Sequence, residues 1–251
     1  MSIETYGTGK RMELVAKGLK NENFSHLVVL PVPTSKDKKH ITNTDILLEQ
    51  TLVNVSEKSK IVGYGLPEDY KNMARALGAE VYDAEKDEPF LLSNAYITAL
   101  GALGYILSTV DREPREIRFG IFGYGRIGRI LLKMLLFLGA RTIVYTSKIL
   151  SRIELGAYGI DSGEASTAPR EACLIDDVDI LINTAPTDMR GLFGEAKAAR
   201  GTRIIELASG DNFAGIEGVE KLPGIPEKFY PESAAKAYIE AIVRLAREGA
   251  K

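Results

Sequence analysis

The 251-residue chain has one cysteine, two histidines and no long run of like charge. The single cysteine, Cys173, excludes an internal disulfide and fits a reducing compartment. Beside Leu174 and Ile175, ahead of an acidic turn, it reads as a packing residue. His26 precedes an apolar run and His40 sits in a long polar stretch, so a histidine-centred 2-hydroxyacid dehydrogenase mechanism is not expected. There is no cysteine pair, no HxxxH and no carboxylate cluster at ligand spacing, so no metal site is expected. Asp176, Asp177 and Asp179 read as a solvated turn ahead of a strand, and no Ser–His–Asp arrangement can be argued. A formal net charge of −2 without clustered Lys and Arg argues against a nucleic-acid partner. The short basic stretch Lys36-Asp-Lys-Lys39 reads as an exposed loop. The first residues carry no basic-then-apolar signal. Of two apolar stretches, residues 90–107 are interrupted by polar residues and glycines, and residues 130–138 are too short to span a membrane. Both are expected to be buried helices of a cytoplasmic protein without a membrane partner.

What is present is an alternation of strand and helix patterns. Strands are expected at residues 2–6, 27–30, 61–64 and 80–82, with helices at 10–23, 45–53 and 67–77 between them. A long helix at 94–110 is broken by Asp111-Arg-Glu-Pro-Arg115. Strands at 117–122, 142–145, 179–183 and 203–207 follow, then a closing helix at 231–248. Such alternation implies parallel sheets. The expectation is an α/β fold with two doubly wound parallel-sheet domains, residues 1–93 plus 232–251 and residues 94–231, and a cleft between them. Ligands of such sheets bind beyond the carboxyl ends of strands. The segments there are Gly7-Thr-Gly-Lys-Arg11, Pro31-Val-Pro-Thr-Ser35, Thr184-Ala-Pro186 and Ala208-Ser-Gly-Asp-Asn212.

The run Ile117-Arg-Phe-Gly-Ile-Phe-Gly-Tyr-Gly-Arg-Ile-Gly-Arg129 carries the clearest chemistry. Its glycines fall between an apolar strand pattern and an amphipathic helix pattern, where a dinucleotide pyrophosphate sits. Gly123 allows the tight turn, Gly125 lets backbone approach phosphate, and Gly128 lets helix pack on strand. The helix N-terminus, at Arg126 and Ile127, adds free N–H groups and the positive end of its dipole. The bland alternative is a glycine-rich turn in an unliganded α/β fold. Dinucleotide choice falls about twenty residues further on, where NAD sites carry Asp or Glu on the ribose hydroxyls. This chain has Tyr145-Thr146-Ser147-Lys148, then Arg152, with no carboxylate before Glu154. Hydroxyls and a cation suit the 2′-phosphate of NADP. NADP is therefore the expected cofactor, with NAD left open; the alternative makes Lys148 and Arg152 a solvated helix start.

Taken in order, the motifs resemble the A chain of bacterial dipicolinate synthase along nearly the whole length. The resemblance is carried by Leu30-Pro-Val-Pro33, Glu85-Lys-Asp-Glu-Pro-Phe90, Asn94-Ala-Tyr-Ile-Thr-Ala-Leu-Gly-Ala102 and Gly123-Tyr-Gly-Arg-Ile-Gly128. Further on it is carried by Asp179-Ile-Leu-Ile-Asn-Thr-Ala-Pro186, Leu207-Ala-Ser209, Pro223-Gly-Ile-Pro226, Pro231 and Ser233-Ala234. It implies a flavodoxin-like first domain and a Rossmann second domain. It also implies an NAD(P)-dependent oxidoreductase acting on a cyclic dicarboxylate of the lysine pathway, yielding dipicolinic acid for spores. The flavoprotein that forms the second component of that synthase is the implied partner, and a homo-oligomer is left open.

This chain departs from the family at the substrate side. Gly9 stands where the family has an acidic residue, Leu100 where it has Glu, Ile97 where it has Pro, and Glu227 where it has glycine. The loop after Ser209 is shortened to Gly210-Asp-Asn212. The pattern suggests a diverged relative with its cofactor half kept, and leaves a second reading: a non-catalytic NADP(H)-binding module or scaffold for a flavoprotein. Catalytic candidates are Arg11 as a carboxylate clamp, Asn94 and Thr98 one helical turn apart, and Ser209 at a strand end. Cofactor candidates are Gly123, Gly125, Arg126, Ile127, Gly128, Thr146, Ser147 and Lys148, with Thr184 and Pro186 at the ribose.

Overall fold

The computed structural model describes residues 2–165, 178–189 and 201–248. Cys173, Asp176 and Asp177 lie outside the described residues. In chain order the elements are β1 (Ser2–Thr5), α1 (Lys10–Gly18), β2 (His26–Val29), β3 (Ser59–Gly63), α2 (Glu68–Ala76), β4 (Glu80–Asp83) and α3 (Glu88–Ser108). There follow β5 (Arg118–Phe122), α4 (Arg126–Phe137), β6 (Arg141–Tyr145), α5 (Ile149–Ala157), β7 (Asp161–Gly163), β8 (Ile180–Asn183) and β9 (Arg203–Glu206). The chain ends in β10 (Val219–Lys221), α6 (Ile225–Phe229) and α7 (Pro231–Glu248). Two compact units result, Met1–Ile97 with Pro226–Lys251, and Thr98–Ile225.

The first unit holds a four-stranded parallel sheet in the order β1-β2-β3-β4. Alternate side chains of its strands feed two cores. Leu27, Val29 and Val62 meet Met12 and Val15 of α1 and Tyr238 and Ile242 of α7. Val28, Leu30 and Ile61 meet Leu48, Leu52, and Tyr70 and Ala74 of α2. Period-two burial on both faces is what a doubly covered parallel sheet demands.

The second unit holds six parallel strands in the order β10-β9-β8-β5-β6-β7. Read from β7, this is the dinucleotide-binding order, with its reversal at β5. The register aligns Phe122 with Tyr145 on one side and Asn183 on the other. Three strand ends therefore finish level, and the residues after them face a common crevice.

Some boundaries differ from the sequence reading. The helix expected at 45–53 is a short 3-10 turn, Leu48–Leu52. Residues 41–46 before it form a tight loop closed on itself: Thr44 N–H donates to Ile41 O at 3.0 Å, Ile41 N–H to Ile46 O at 2.9 Å and Leu48 N–H to Lys39 O at 2.9 Å. Leu48 and Leu52 are buried without the helix that their spacing suggested. Helix α1 ends at Gly18 rather than near residue 23, because Lys20 and Glu22 donate in tight turns to Lys17 O and Leu19 O. Helix α3 begins six residues before Asn94, where the Asp87 carboxylate accepts from Phe90 N–H at 2.9 Å, an N-terminal cap. Asp87 is held in turn by Arg244 of α7. Helix α3 is long and apolar enough to cross a membrane by length and composition, yet half of its most apolar window is buried in the protein. Phe90 and Ile97 belong to one core, and Ala99, Leu103 and Ile106 to another.

Candidate functional site

At the carboxyl ends of β5, β6 and β8 lies a cavity of about 620 Å³. That is within the usual range for a ligand pocket. Its walls include Gly123, Tyr124 and Gly125 from the first turn, Thr146 to Lys148 from the second, and Thr184 to Pro186 from the third. The three glycines act separately. Gly123 takes φ +93°, and a Cβ there would stand 2.8 Å from Thr184 Oγ1. A Cβ at Gly128 would collide with the Gly123 carbonyl oxygen, so this glycine sets how closely α4 packs on β5. A Cβ at Gly125 would meet nothing within 4 Å, so the space over that residue is open. Gly125 is the N-cap of α4, which has no side-chain cap and no acidic residue in its first turn. Its first N–H groups and the positive end of its dipole are thus uncompensated by side chains, which suits an anion.

Of the sequence candidates, Gly123, Gly125, Thr146, Ser147, Lys148, Thr184 and Pro186 line the cavity. Arg126, Ile127 and Gly128 do not. Ile127 packs against the core beneath α4, and Gly128 works through packing. What Ile127 and Gly128 offer a ligand is backbone N–H, and Arg126 stands exposed at the first position of α4.

The second turn is fixed by backbone ties. Thr146 N–H donates to Gly163 O at 3.0 Å, and Arg152 Nη1 to Thr146 O at 2.8 Å. Arg152, read as a candidate cation for phosphate, is therefore committed to backbone and to Glu164, 3.6 Å away. Lys148 is an exposed cation between this cavity and a second one of about 420 Å³ lined by Arg129, Lys148 and Glu154, among others. Arg129 is spent on Glu154 at 3.2 Å and on the Tyr124 ring, 4.3 Å from its centroid.

Sequence reasoning missed the pair that holds the third wall. Asn183 at the end of β8 is 0% exposed and Glu206 at the end of β9 is 3% exposed. Asn183 Nδ2 donates to both Glu206 carboxylate oxygens at 3.1 Å and to Ala185 O at 3.0 Å, while Ala185 N–H donates to Asn183 Oδ1 at 3.1 Å. Ala208 N–H donates to Glu206 Oε1 at 2.7 Å. Burial pushes the Glu206 carboxyl above its ordinary value, opposed by these hydrogen bonds. The signal was a polar residue at the carboxyl end of each of two strands with apolar centres. Thr184 completes the wall, its hydroxyl donating to Phe122 O at 2.8 Å.

The remaining candidates fall in different places. Arg11, in the first turn of α1, is 5% exposed, contrary to the surface position typical of such a residue. Its Nη2 donates to Asn94 Oδ1 at 3.2 Å, so the structure brings these two candidates together within the first unit. Burial lowers the Arg11 pKa, and the nearby Glu227 carboxylate opposes that shift. Thr98 is buried on α3, Ser209 is exposed just beyond β9, and both belong to the second unit. The Ser209 carbonyl accepts from Asn212 Nδ2 at 3.1 Å. Both histidines are engaged locally: His26 with Ser59 at 2.8 Å and Glu4 at 3.3 Å, His40 with Asp37 at 2.7 Å.

No protein-family model and no curated protein matches the chain by sequence. Solved structures match it in fold. The A chain of dipicolinate synthase from Bacillus halodurans superposes with a TM-score of 0.78 at 18% identity, over 98% of this chain and 97% of that one. Its counterpart from Bacillus subtilis, also the A chain of dipicolinate synthase, gives 0.76 at 16% identity, over 98% and 95%. The NAD-complexed D-isomer specific 2-hydroxyacid dehydrogenase from Lactobacillus delbrueckii ssp. bulgaricus gives 0.55 at 12% identity, over 100% and 98%. The likeness is one of fold: two parallel α/β units of the kind found in nicotinamide-dependent dehydrogenases.

Proposed function

We propose that the chain is an NADP(H)-dependent oxidoreductase related to the A chain of dipicolinate synthase. Its substrate is a small cyclic dicarboxylate of the lysine and dipicolinate pathway, and its partner is a flavoprotein. The observation that carries this reading is the cavity at the β5–α4 turn, open over Gly125 and walled by Thr146, Ser147 and Lys148. A dinucleotide fits there: the Arg126 to Gly128 N–H groups receive the pyrophosphate, and Thr184 and Pro186 border the ribose. Lys148 and the Ser147 hydroxyl meet the 2′-phosphate at the tip of β6, a tip that bears no carboxylate. The nicotinamide, when bound, supplies the hydride chemistry. The protein's part is to hold it, through the Asn183–Glu206 pair that fixes the third wall.

Titrating the full chain with NADPH and NADH tests the cofactor assignment. NADPH is expected to bind at least tenfold more tightly, and equal or tighter NADH binding removes the specificity claim. A second reading, an NADP(H)-binding module without turnover, is favoured by Leu100 in place of an acid and by the local engagement of both histidines. NADPH oxidation by the chain with a cyclic imine dicarboxylate decides between them; binding without turnover, even with a flavoprotein partner present, favours the module.

A further inference from the structure

Arg11 is an unusual structural arginine. A guanidinium has five N–H donors and, when buried for structure alone, is normally met by a bidentate carboxylate or several carbonyls. Among the described residues the one side-chain bond of Arg11 is the 3.2 Å contact from Nη2 to Asn94 Oδ1. The buried Nε has no hydrogen-bond partner among the described residues. A buried cation with a free donor edge matches a planar acceptor such as a ligand carboxylate.

The second observation lies two residues earlier. Gly9, the N-cap of α1, takes φ +92° and ψ 167°, a conformation that L side chains rarely adopt. A Cβ there would fall on Oε1 of Glu227. The missing side chain is therefore the space into which α6 delivers a carboxylate, near enough to Arg11 to oppose the effect of burial on it. Glu227 is half-buried and makes no hydrogen bond or ion pair among the described residues. The space over Gly9 is thus filled by the Glu227 side chain. The carboxylate is present, carried by a segment distant in sequence.

We propose that Arg11, Asn94 and Glu227 form a recognition site, within the first unit, for the edge of a small ligand that bears an N–H beside a carboxylate. Arg11 takes the carboxylate on its free donor edge, with Asn94 holding the guanidinium plane. Glu227 accepts from the adjacent nitrogen. The site pairs one cation with one anion, so a bare carboxylate gains little, because Glu227 repels it. A cyclic amine or protonated imine with an α-carboxylate satisfies both groups. A flat aromatic ring nitrogen, which offers only a lone pair, faces the Glu227 carboxylate unfavourably. Glu227 is then the residue that separates a reduced ring from its aromatic oxidation product.

The inference rests on the dicarboxylate part of the proposed function and not on the cofactor. Its test is calorimetric titration of the full chain with piperidine-2,6-dicarboxylate, whose ring nitrogen carries hydrogen, and with pyridine-2,6-dicarboxylate, whose nitrogen does not. The piperidine compound is expected to bind at least tenfold more tightly, and Glu227→Ala to reduce that preference to less than twofold. Glu227 lies on a short, partly exposed helix, so this variant should fold, which a thermal melt verifies. Arg11→Lys, which keeps charge but loses the planar fork, is expected to weaken both ligands. Equal affinities in the native chain, a preference that survives Glu227→Ala, or no binding of either ring alongside intact NADPH binding would each overturn the site. Loss of NADPH binding with the ring preference intact would instead overturn the cofactor reading alone.

Discussion

Gly125→Ala and Gly128→Ala differ by one methyl group each, three residues apart, and should fail in different ways. At Gly125 the backbone φ of −85° suits any residue, and the added Cβ meets no heavy atom within 4 Å. Replacing an N-cap glycine by alanine costs about 0.5–1 kcal/mol, and the stiffer unfolded chain returns about 0.4–1 kcal/mol. Stability should therefore be unchanged within about 0.5 kcal/mol. The methyl group nonetheless stands in the open space over the helix N-terminus. A pyrophosphate displaced from those N–H groups should lose tenfold or more in affinity, about 1.4 kcal/mol. At Gly128 the methyl group meets the Gly123 carbonyl oxygen. Because the clash is with backbone, overpacking falls in the upper part of its range, about 2–3 kcal/mol, and less the gain in helix propensity of about 1 kcal/mol leaves a net loss near 1–2 kcal/mol. At about 2–4 °C per kcal/mol, the Gly128→Ala midpoint should fall by roughly 2–8 °C. Thermal melts and NADPH fluorescence titrations read both quantities. Gly125→Ala binding NADPH within twofold of the native chain would refute the assignment of that space to the pyrophosphate.

Lys148→Ala should weaken NADPH about tenfold, through loss of a charge-assisted contact, and leave NADH within twofold; equal loss for both would remove Lys148 from the 2′-phosphate. Asn183→Ala strips the buried Glu206 carboxylate of both side-chain bonds from Asn183. It should cost about 1–3 kcal/mol in chemical denaturation and weaken NADPH as well; an unchanged denaturation midpoint would contradict the role given to the pair. The raised Glu206 value sets a pH dependence. Folded Glu206 holds its proton more tightly than the unfolded chain does, so its contribution is complete below the unfolded value, about 4.3, and is lost as pH rises through the raised value. Glu206→Gln removes that titration. The stability of native chain minus variant should therefore fall with rising pH above about 4 and then level off; a difference that rises over that interval would contradict burial as the dominant cause.

The cofactor end of the fold was legible because each residue there has its own physical requirement. Gly123 needs positive φ, Gly128 needs contact with a carbonyl, and Gly125 needs open space, so the spacing of the three carries information. The apolar runs before them fixed the strands for the same reason: both faces of each sheet are covered. Strands β7 and β10, three residues each, are too short and polar to leave a pattern. Asn183 and Glu206 escaped notice because each looks ordinary alone, and only strand pairing reveals the bond between them. The Glu227 carboxylate over Gly9 could not be read from sequence order, since tertiary folding alone brings those segments together. A local pattern misled at 45–53, where apolar spacing fits a helix but a tight loop, closed by backbone bonds to residues 39–41, takes up the first positions. Burial of Arg11 was not legible either: first-turn arginines are usually solvated, and tertiary packing covers this one.

The proposed function requires the crevice beyond β5, β6 and β8 to receive a dinucleotide phosphate. Amide hydrogen exchange of the full chain, with and without saturating NADPH, reads that contact residue by residue. Protection is expected at residues 123–129 and 146–148, with NADH protecting the first segment and not the second. Unchanged exchange in the 123–129 segment under saturating NADPH would contradict the account.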